Sequence, residues 1–515
     1  MHHRLAAFAL LALTYAACGD DSPSGPESTP AGVAPILAPE NVVTLYGADE
    51  GDAAAGIATG DVNGDGEIDV LLGAAFADGP DNEREGAGEV LVFLGPFEPD
   101  ETRDAGEGEH DAVIYGADPH DQTGRAIASA DVNGDGVDDI IIGAPSAEGI
   151  DNRRPAGGEV IIVFGSSEIG DTVTTIDLAE GGDVIIGGPS LGALAGFSLA
   201  TGDLNGDDVA DIVIGSFHAS GPGGLSSAGA VHVIYGGGDI PPIIDLGSEP
   251  ADVTVYGPAP EAWLGEHVAT GDLNGDGLDD LILSATFAPT RSGEDAGGQV
   301  AIILSPADAE INLATTEPDY IIYGADSGDQ LGHSVATGDV NGDGLADVLL
   351  GAVSSDGRAD EVRLAGEAAL VLGASLRAQI DVAAGEADVL IHGLTTEDRL
   401  GRSVAIGDVD GDGFADLILG APGADSLVPS LVDAGALYLA RGGVALSGAI
   451  DLAASSEALF GTEAGHQMTS GVQGRPALHA ADINGNGRDE IIVSSSHGGL
   501  RDGAGEARII FLAAP

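Results

Sequence analysis

The sequence predicts an all-β fold, a seven-bladed β-propeller of four-stranded antiparallel blades, on three observations. A nine-residue acidic signature recurs seven times at intervals of about 70 residues, a period too long for helical solenoids and suited to a four-stranded unit. Each interval holds four short strand-like runs between Gly-, Pro- and Asp-rich turns, and no segment sustains a helical period. The chain ends are complementary. An outermost-type strand, VVTLY (Val42 to Tyr46), precedes the first repeat, and the last run, Ala507 to Leu512, is of the third type. Pairing the two closes the ring by the N-terminal strand entering the last blade and hides two strand edges that an open solenoid would leave bare.

Taken in order, residues 1–18 read as an export signal, with Arg4 ahead of an apolar run from Leu5 to Ala17 that is too short to span a membrane as a mature helix. The stretch Tyr15-Ala16-Ala17-Cys18 resembles a bacterial lipoprotein signal, with Tyr15 in place of the usual Leu. That resemblance implies lipidation of Cys18 and a protein anchored by lipid at the cell envelope, at the outer membrane or cell surface. Cys18 is the only cysteine, so no internal disulfide is available. Residues 19–40 are rich in Pro, Ser, Gly and acid and read as an extended tether. Residues 41–515 are assigned to the propeller.

Its repeats carry DVNGDGEID from Asp61, DVNGDGVDD from Asp131, DLNGDDVAD from Asp203, DLNGDGLDD from Asp272, DVNGDGLAD from Asp339, DVDGDGFAD from Asp408 and DINGNGRDE from Asp482. The strand runs are clearest around the second copy: Ala112 to Tyr115, Ala126 to Asp131, Asp139 to Ile142 and Glu159 to Phe164. A Gly stands seven residues before the acidic loop in five repeats (Gly124, Gly196, Gly265, Gly332, Gly401). A GAP-like element follows the loop, as in Gly143-Ala144-Pro145 and Gly420-Ala421-Pro422. These features resemble the FG-GAP repeats of integrin α-subunits, over residues 42–513. Departures are Ser284 for the GAP glycine in the fourth repeat, Ala54 for the upstream Gly in the first, and a seventh repeat stretched before its loop and lacking GAP.

The loops have the chemistry of a hard-cation site. Oxygen donors recur at every second residue: Asp61, Asn63, Asp65, the main-chain carbonyl of Glu67, and Asp69 in the first. The other sets are Asp131, Asn133, Asp135, Val137 and Asp139; Asp203, Asn205, Asp207, Val209 and Asp211; Asp272, Asn274, Asp276, Leu278 and Asp280; Asp339, Asn341, Asp343, Leu345 and Asp347; Asp408, Asp410, Asp412, Phe414 and Asp416; and Asp482, Asn484, Asn486, Arg488 and Glu490. In each set the fourth residue lends its carbonyl. Ca²⁺, up to seven ions with one per blade, suits about five protein oxygens, whereas Mg²⁺ keeps more of its water and Zn²⁺ wants His or Cys. An EF-hand would need an acid at position twelve, which is Leu72, Ile142 or Leu350 here. Plain Asx turns are the competing account of one such loop, and seven with identical spacing argue against it. Carboxylate count makes the seventh site the weakest. Seven Ca²⁺ would lower the net charge of −68 only to about −54, so salt adaptation or solubility is left to explain the rest.

Acidity also excludes partners. There are 85 acidic residues against 17 basic, all Arg, which rules out nucleic acid and electrostatic attachment to anionic lipid. With 43% hydrophobic residues in even runs, the chain is not disordered. Seven of the Arg fall in loops joining the second and third strands: Arg84, Arg153, Arg154, Arg291, Arg358, Arg363 and Arg501. They read either as a site for carboxylate, sulfate or acidic sugar or as partners of nearby acids such as Glu83, Glu85 and Asp151. The resemblance implies protein-ligand binding on the calcium-free face, though no Arg-Gly-Asp triplet occurs.

The expectation is thus a non-catalytic, calcium-binding adhesion module for an extracellular protein or glycan, touching the membrane through its lipid alone. Two alternatives stand beside it, a calcium-dependent lectin and a hydrolase-associated propeller. No HExxH or G-x-S-x-G motif occurs, and Trp263, His267 and His333 read as packing or hydrogen-bonding residues.

Overall fold

The computed structural model describes residues 42–512, apart from 50–55, 99, 171–172, 239, 307–308, 358–361, 426–431, 445, 451, 453–456, 462–466, 471–476 and 496–504. The signal, Cys18, the tether, Ala54, Arg358 and Arg501 lie outside the described residues.

Seven sheets, each built on four antiparallel strands, follow one another around a ring. The inner strand of each blade is Gly56–Gly60, Ala126–Ala130, Ser198–Gly202, Leu264–Gly271, Leu331–Gly338, Ser403–Gly407 and Leu478–Ala481 in turn. Each inner strand packs on that of the next blade, and the last returns to the first. At that junction Thr59 Oγ1 meets His479 Nε2 at 2.9 Å. Closure is as expected: Val42–Tyr46 pairs antiparallel with Glu506–Ile510, Val42 opposite Ile510 and Tyr46 opposite Glu506.

The second strands, such as Asp69–Ala74 and Asp139–Ala144, are buried along their whole length. Both faces meet a neighbouring sheet, so their sequences are continuous apolar runs. Alternation divides the work: Val70 and Leu72 pack with Leu45, Ile492 and Ile509 of the last blade, while Leu71 packs with Ile140 and Ile142 of the next. Burying each such aliphatic side chain contributes roughly 1.5–3 kcal/mol.

Six of the seven sheets have a fifth strand that the sequence did not reveal. Segments such as Thr102–Asp104, Thr174–Asp177 and Ile243–Asp245 sit in the connection before each outer strand and pair parallel with the outer strand of the preceding blade. Three or four residues with no apolar alternation give no signal, yet they cover an edge that would otherwise be open.

The paired glycines have a steric cause. A Cβ on Gly73 would lie 1.9 Å from the carbonyl oxygen of Gly124 in the next blade, and one on Gly143 would lie 2.1 Å from that of Gly196. The GAP glycine and the upstream glycine are the two sides of one contact between blades.

Candidate functional site

Each acidic loop joins the inner strand to the second strand, so all seven lie on one face. The first Asp organises the turn: Asp131 accepts from the N–H groups of Gly134 (2.7 Å), Asp135 (3.1 Å) and Gly136 (2.7 Å). Gly64 and Gly66 have φ of 73° and 90°, and Asp208, which replaces the second glycine in the third loop, takes φ 63°. The ninth residue is buried and anchors the loop to the sheet, as where Asp139 accepts from Val132 N–H at 3.0 Å and Gly165 N–H at 2.9 Å. Burial first, then the loop's other carboxylates, raise Asp69 and Glu490 to about 7. The same causes raise Asp139, Asp211, Asp280 and Asp347 to about 6. A buried acid facing two others calls for a cation or a proton, which is the fit expected of a calcium loop.

The sixth loop brings ligand oxygens of Asp408, Asp410 and Asp416 within 4.8 Å of one another, the spread of opposed ligands about a calcium ion. Its fourth carboxylate is offset, however. Arg441 lies 3.0 Å from Asp410 and 3.1 Å from Asp416.

The loops are also joined to one another. From the second loop to the seventh, the eighth residue donates its N–H to the carbonyl of the first Asp in the loop before it, from Asp138 to Asp61 (3.1 Å) through Asp489 to Asp408 (2.9 Å). At three junctions that eighth residue is an Asp whose carboxylate accepts the partner's N–H in return: Asp138 from Asp61 (2.9 Å), Asp279 from Asp203 (3.0 Å) and Asp489 from Asp408 (2.8 Å). At the other three it is Ala210, Ala346 or Ala415.

Four of the arginines named from sequence are engaged in ion pairs on the opposite face. Arg84 grips Asp177 with both terminal nitrogens at 2.6 Å, and Arg154 reaches Asp245 at 2.8 Å. Arg291 lies 3.9 Å from Asp381, and Arg363 pairs with Glu397. Asp177, Asp245 and Asp381 come from the next blade's fifth-strand segments, so these pairs clamp successive blades. Arg153 is exposed.

Sequence reasoning missed a second constellation, at the start of the inner strands and so at the end of the channel opposite the acidic loops. The residue after each upstream glycine is Arg125, Phe197, Glu266, His333 or Arg402 in turn, and several of these interact with one another across blades. The Arg125 guanidinium lies over the Phe197 ring at 4.5 Å, with only 3% of the residue exposed. Burial lowers its pKa to about 10, with Glu266 opposing and Arg402 reinforcing. Arg402 contacts His333 Nε2. Burial and then Arg402 hold His333 neutral, well below the usual imidazole range. Beside them is an aromatic group: Trp263 is 4.1 Å from Phe287, 5.4 Å from Phe217 and 5.2 Å from His218, and Phe197 is 4.3 Å from Phe217. It gathers the protein's one Trp and three of its 11 Phe. The available signal was the equivalence of these positions across repeats.

The FG-GAP repeat model matches residues 123–162, 195–234, 264–303, 331–361 and 400–439. These are FG-GAP repeats. The match covers the five units that have the upstream glycine and passes over the first and seventh, where the sequence departs. Among curated proteins, the phosphatidylinositol-glycan-specific phospholipase D of Dictyostelium discoideum is 26% identical over 398 residues, 74% of this chain and 40% of its own length. The human enzyme of that name is 26% identical over 70% of this chain and 42% of its length. The chain thus spans less than half the length of these relatives. An integrin alpha of Caenorhabditis briggsae, pat-2, is 28% identical over 46% of this chain and 18% of its own length. A solved structure of the exotype rhamnogalacturonan lyase YesX aligns with 92% of this chain and 76% of its own at TM-score 0.45 and 15% identity. The expectation of a non-catalytic module is corrected by the phospholipase D relatives, which bear the name of an enzyme across most of the FG-GAP propeller. Among the described residues no helix is long and apolar enough to cross a membrane.

Proposed function

We propose that this chain is the calcium-binding propeller of a hydrolytic system acting at the cell envelope on a glycan-bearing, anionic substrate. Calcium in the seven loops fixes the blades, and the opposite mouth of the channel receives the substrate's polar part. The observation that carries this reading is the convergence of Arg125, Arg402 and Glu266 beside the half-buried rings of Phe197, Trp263 and Phe287. Guanidinium groups grip phosphate or carboxylate oxygens, and aromatic faces receive the apolar side of a sugar. Similarity to the phospholipase D relatives supports a phosphate-linked glycan as the ligand class.

The test is calorimetric titration of the calcium-loaded chain with inositol 1-phosphate and with a soluble inositol-phosphate glycan, alongside an assay for release of phosphatidic acid from a phosphatidylinositol-glycan substrate. Binding that falls tenfold or more in an Arg125→Met, Arg402→Met double variant supports the proposal. Neither binding nor turnover, with calcium present, overturns it. The integrin alpha similarity supports a second reading, a protein ligand on the same face, which capture of one envelope protein unaffected by inositol-phosphate glycan would favour.

A further inference from the structure

We infer that Glu266, His267 and His333 form a site for one divalent transition-metal ion of the zinc class at the calcium-free mouth of the channel. Their ligand atoms lie within 4.8 Å of one another. Small side-chain rotations close that spread to the separation of about 3.3 Å set by metal–ligand bonds of 2.0–2.1 Å. Two imidazoles and a carboxylate are the donors that zinc and its neighbours prefer, and they differ in kind from the all-oxygen loops on the other face.

The backbone is altered where these residues occur. Five inner strands pair with their second strands without interruption among the described residues, but those of the fourth and fifth blades slip register between Leu264 and Val268 and between Leu331 and Ser334. Such irregularities re-aim side chains and gather near functional sites. All three candidate ligands fall within the two slips.

The fourth blade also breaks the repeat twice at this point. Ser198 and Ser334 occupy the position of His267 in their blades, and each donates its hydroxyl to a glycine carbonyl of the next blade at 2.8 Å. His267 puts an imidazole where those blades have a hydroxyl, with its ring 5.5 Å from that of His333 in the next blade. Ser284, in place of the GAP glycine, accepts a hydrogen bond from His267 N–H at 3.0 Å and fixes the backbone that carries the imidazole. The Thr286 hydroxyl donates to Glu266 Oε2, the kind of outer contact that orients a ligating carboxylate.

In the structure the Arg402 guanidinium is at His333 Nε2. The ion takes its place, one cation exchanged for another, and frees Arg402 to turn to the ion's open side. Three protein ligands leave a coordination position, and an ion flanked by Arg125 and Arg402 suits an oxyanion there.

The test is titration of the calcium-saturated full chain with zinc chloride by calorimetry, with metal counted by mass spectrometry after gel filtration and Co²⁺ used as a spectroscopic probe. One zinc per chain retained in millimolar calcium is expected, together with a visible Co²⁺ d–d band. Glu266→Gln and His333→Gln each lose at least tenfold in zinc affinity while calcium content and Tm stay unchanged, and Arg402→Met binds zinc more tightly. His267 is 4% exposed and its replacement risks the fold, so the decision rests on the other two positions. No retained zinc, or full affinity in both glutamine variants, overturns the inference. Neither result depends on inositol-phosphate binding, so this site and the proposed function fail separately.

Discussion

The two faces of this propeller are built by opposite rules. On the loop face every blade repeats the same turn and the same buried ninth carboxylate, and from the second blade to the seventh the same main-chain link to the blade before it. At the other mouth the equivalent position is Arg, Phe, Glu, His and Arg in successive blades, and two of those blades change register to present it. Repetition serves a structural task that each blade must perform alike. Its abandonment marks the place where seven similar strands supply different chemistry to one axis.

The comparison breaks most readily at the loop face. Removing calcium with EDTA is expected to lower Tm by more than 10 °C, since each site at a hundredfold excess over its Kd contributes about 2.7 kcal/mol. An unchanged Tm in a thermal scan would detach the loops from stability. Gly143→Ala follows, because its Cβ would lie 2.1 Å from a backbone oxygen that cannot yield without moving a blade. A loss of roughly 1–3 kcal/mol or more by urea titration is expected. Asp138→Ala removes the carboxylate accepting Asp61 N–H and costs about 1 kcal/mol. Because that bond joins two loops, the same variant should lower calcium affinity at both the first and second sites, which distinguishes a linked ring from seven independent sites.

Legibility followed the same division. The seven loops, the apolar second strands and the closure of Val42–Tyr46 onto the last blade were readable, because each repeats a pattern with one physical cause. The fifth strands were not, since segments like Thr102–Asp104 owe their pairing to a neighbouring blade and not to their own composition. The arginine loops were half legible: their carboxylate partners lie in another blade, as Asp177 does for Arg84, so nearby acids such as Glu83 were the wrong place to look. Arg441 likewise spoils a count of loop carboxylates from 25 residues beyond Asp416. His267 was visible only as an odd residue where other repeats have Ser. Its meaning needs His333, 66 residues away, and the two register slips that bring both to the axis.

The smallest expected effect tests whether the non-loop face carries buried charge of its own. Burial first, then Glu159, Asp118 and Glu148, raise Asp121 to about 7, and burial with Asp118 raises Glu159 to about 7. An acid with a raised folded pKa contributes stability that is full below its unfolded value near 4 and is lost as pH climbs through 7. Urea stability in saturating calcium should therefore fall between pH 5 and 8 by an amount these residues share. Asp121→Asn keeps an acceptor for Asp118 N–H, 3.2 Å away, while removing the charge. It is expected to gain roughly 1 kcal/mol at pH 8, little at pH 5, and so to flatten the slope. A slope equal to that of the parent protein would show that Asp121 stays ionised in the fold, and that the acidity of this face is solvated as fully as that of the exposed loop tips.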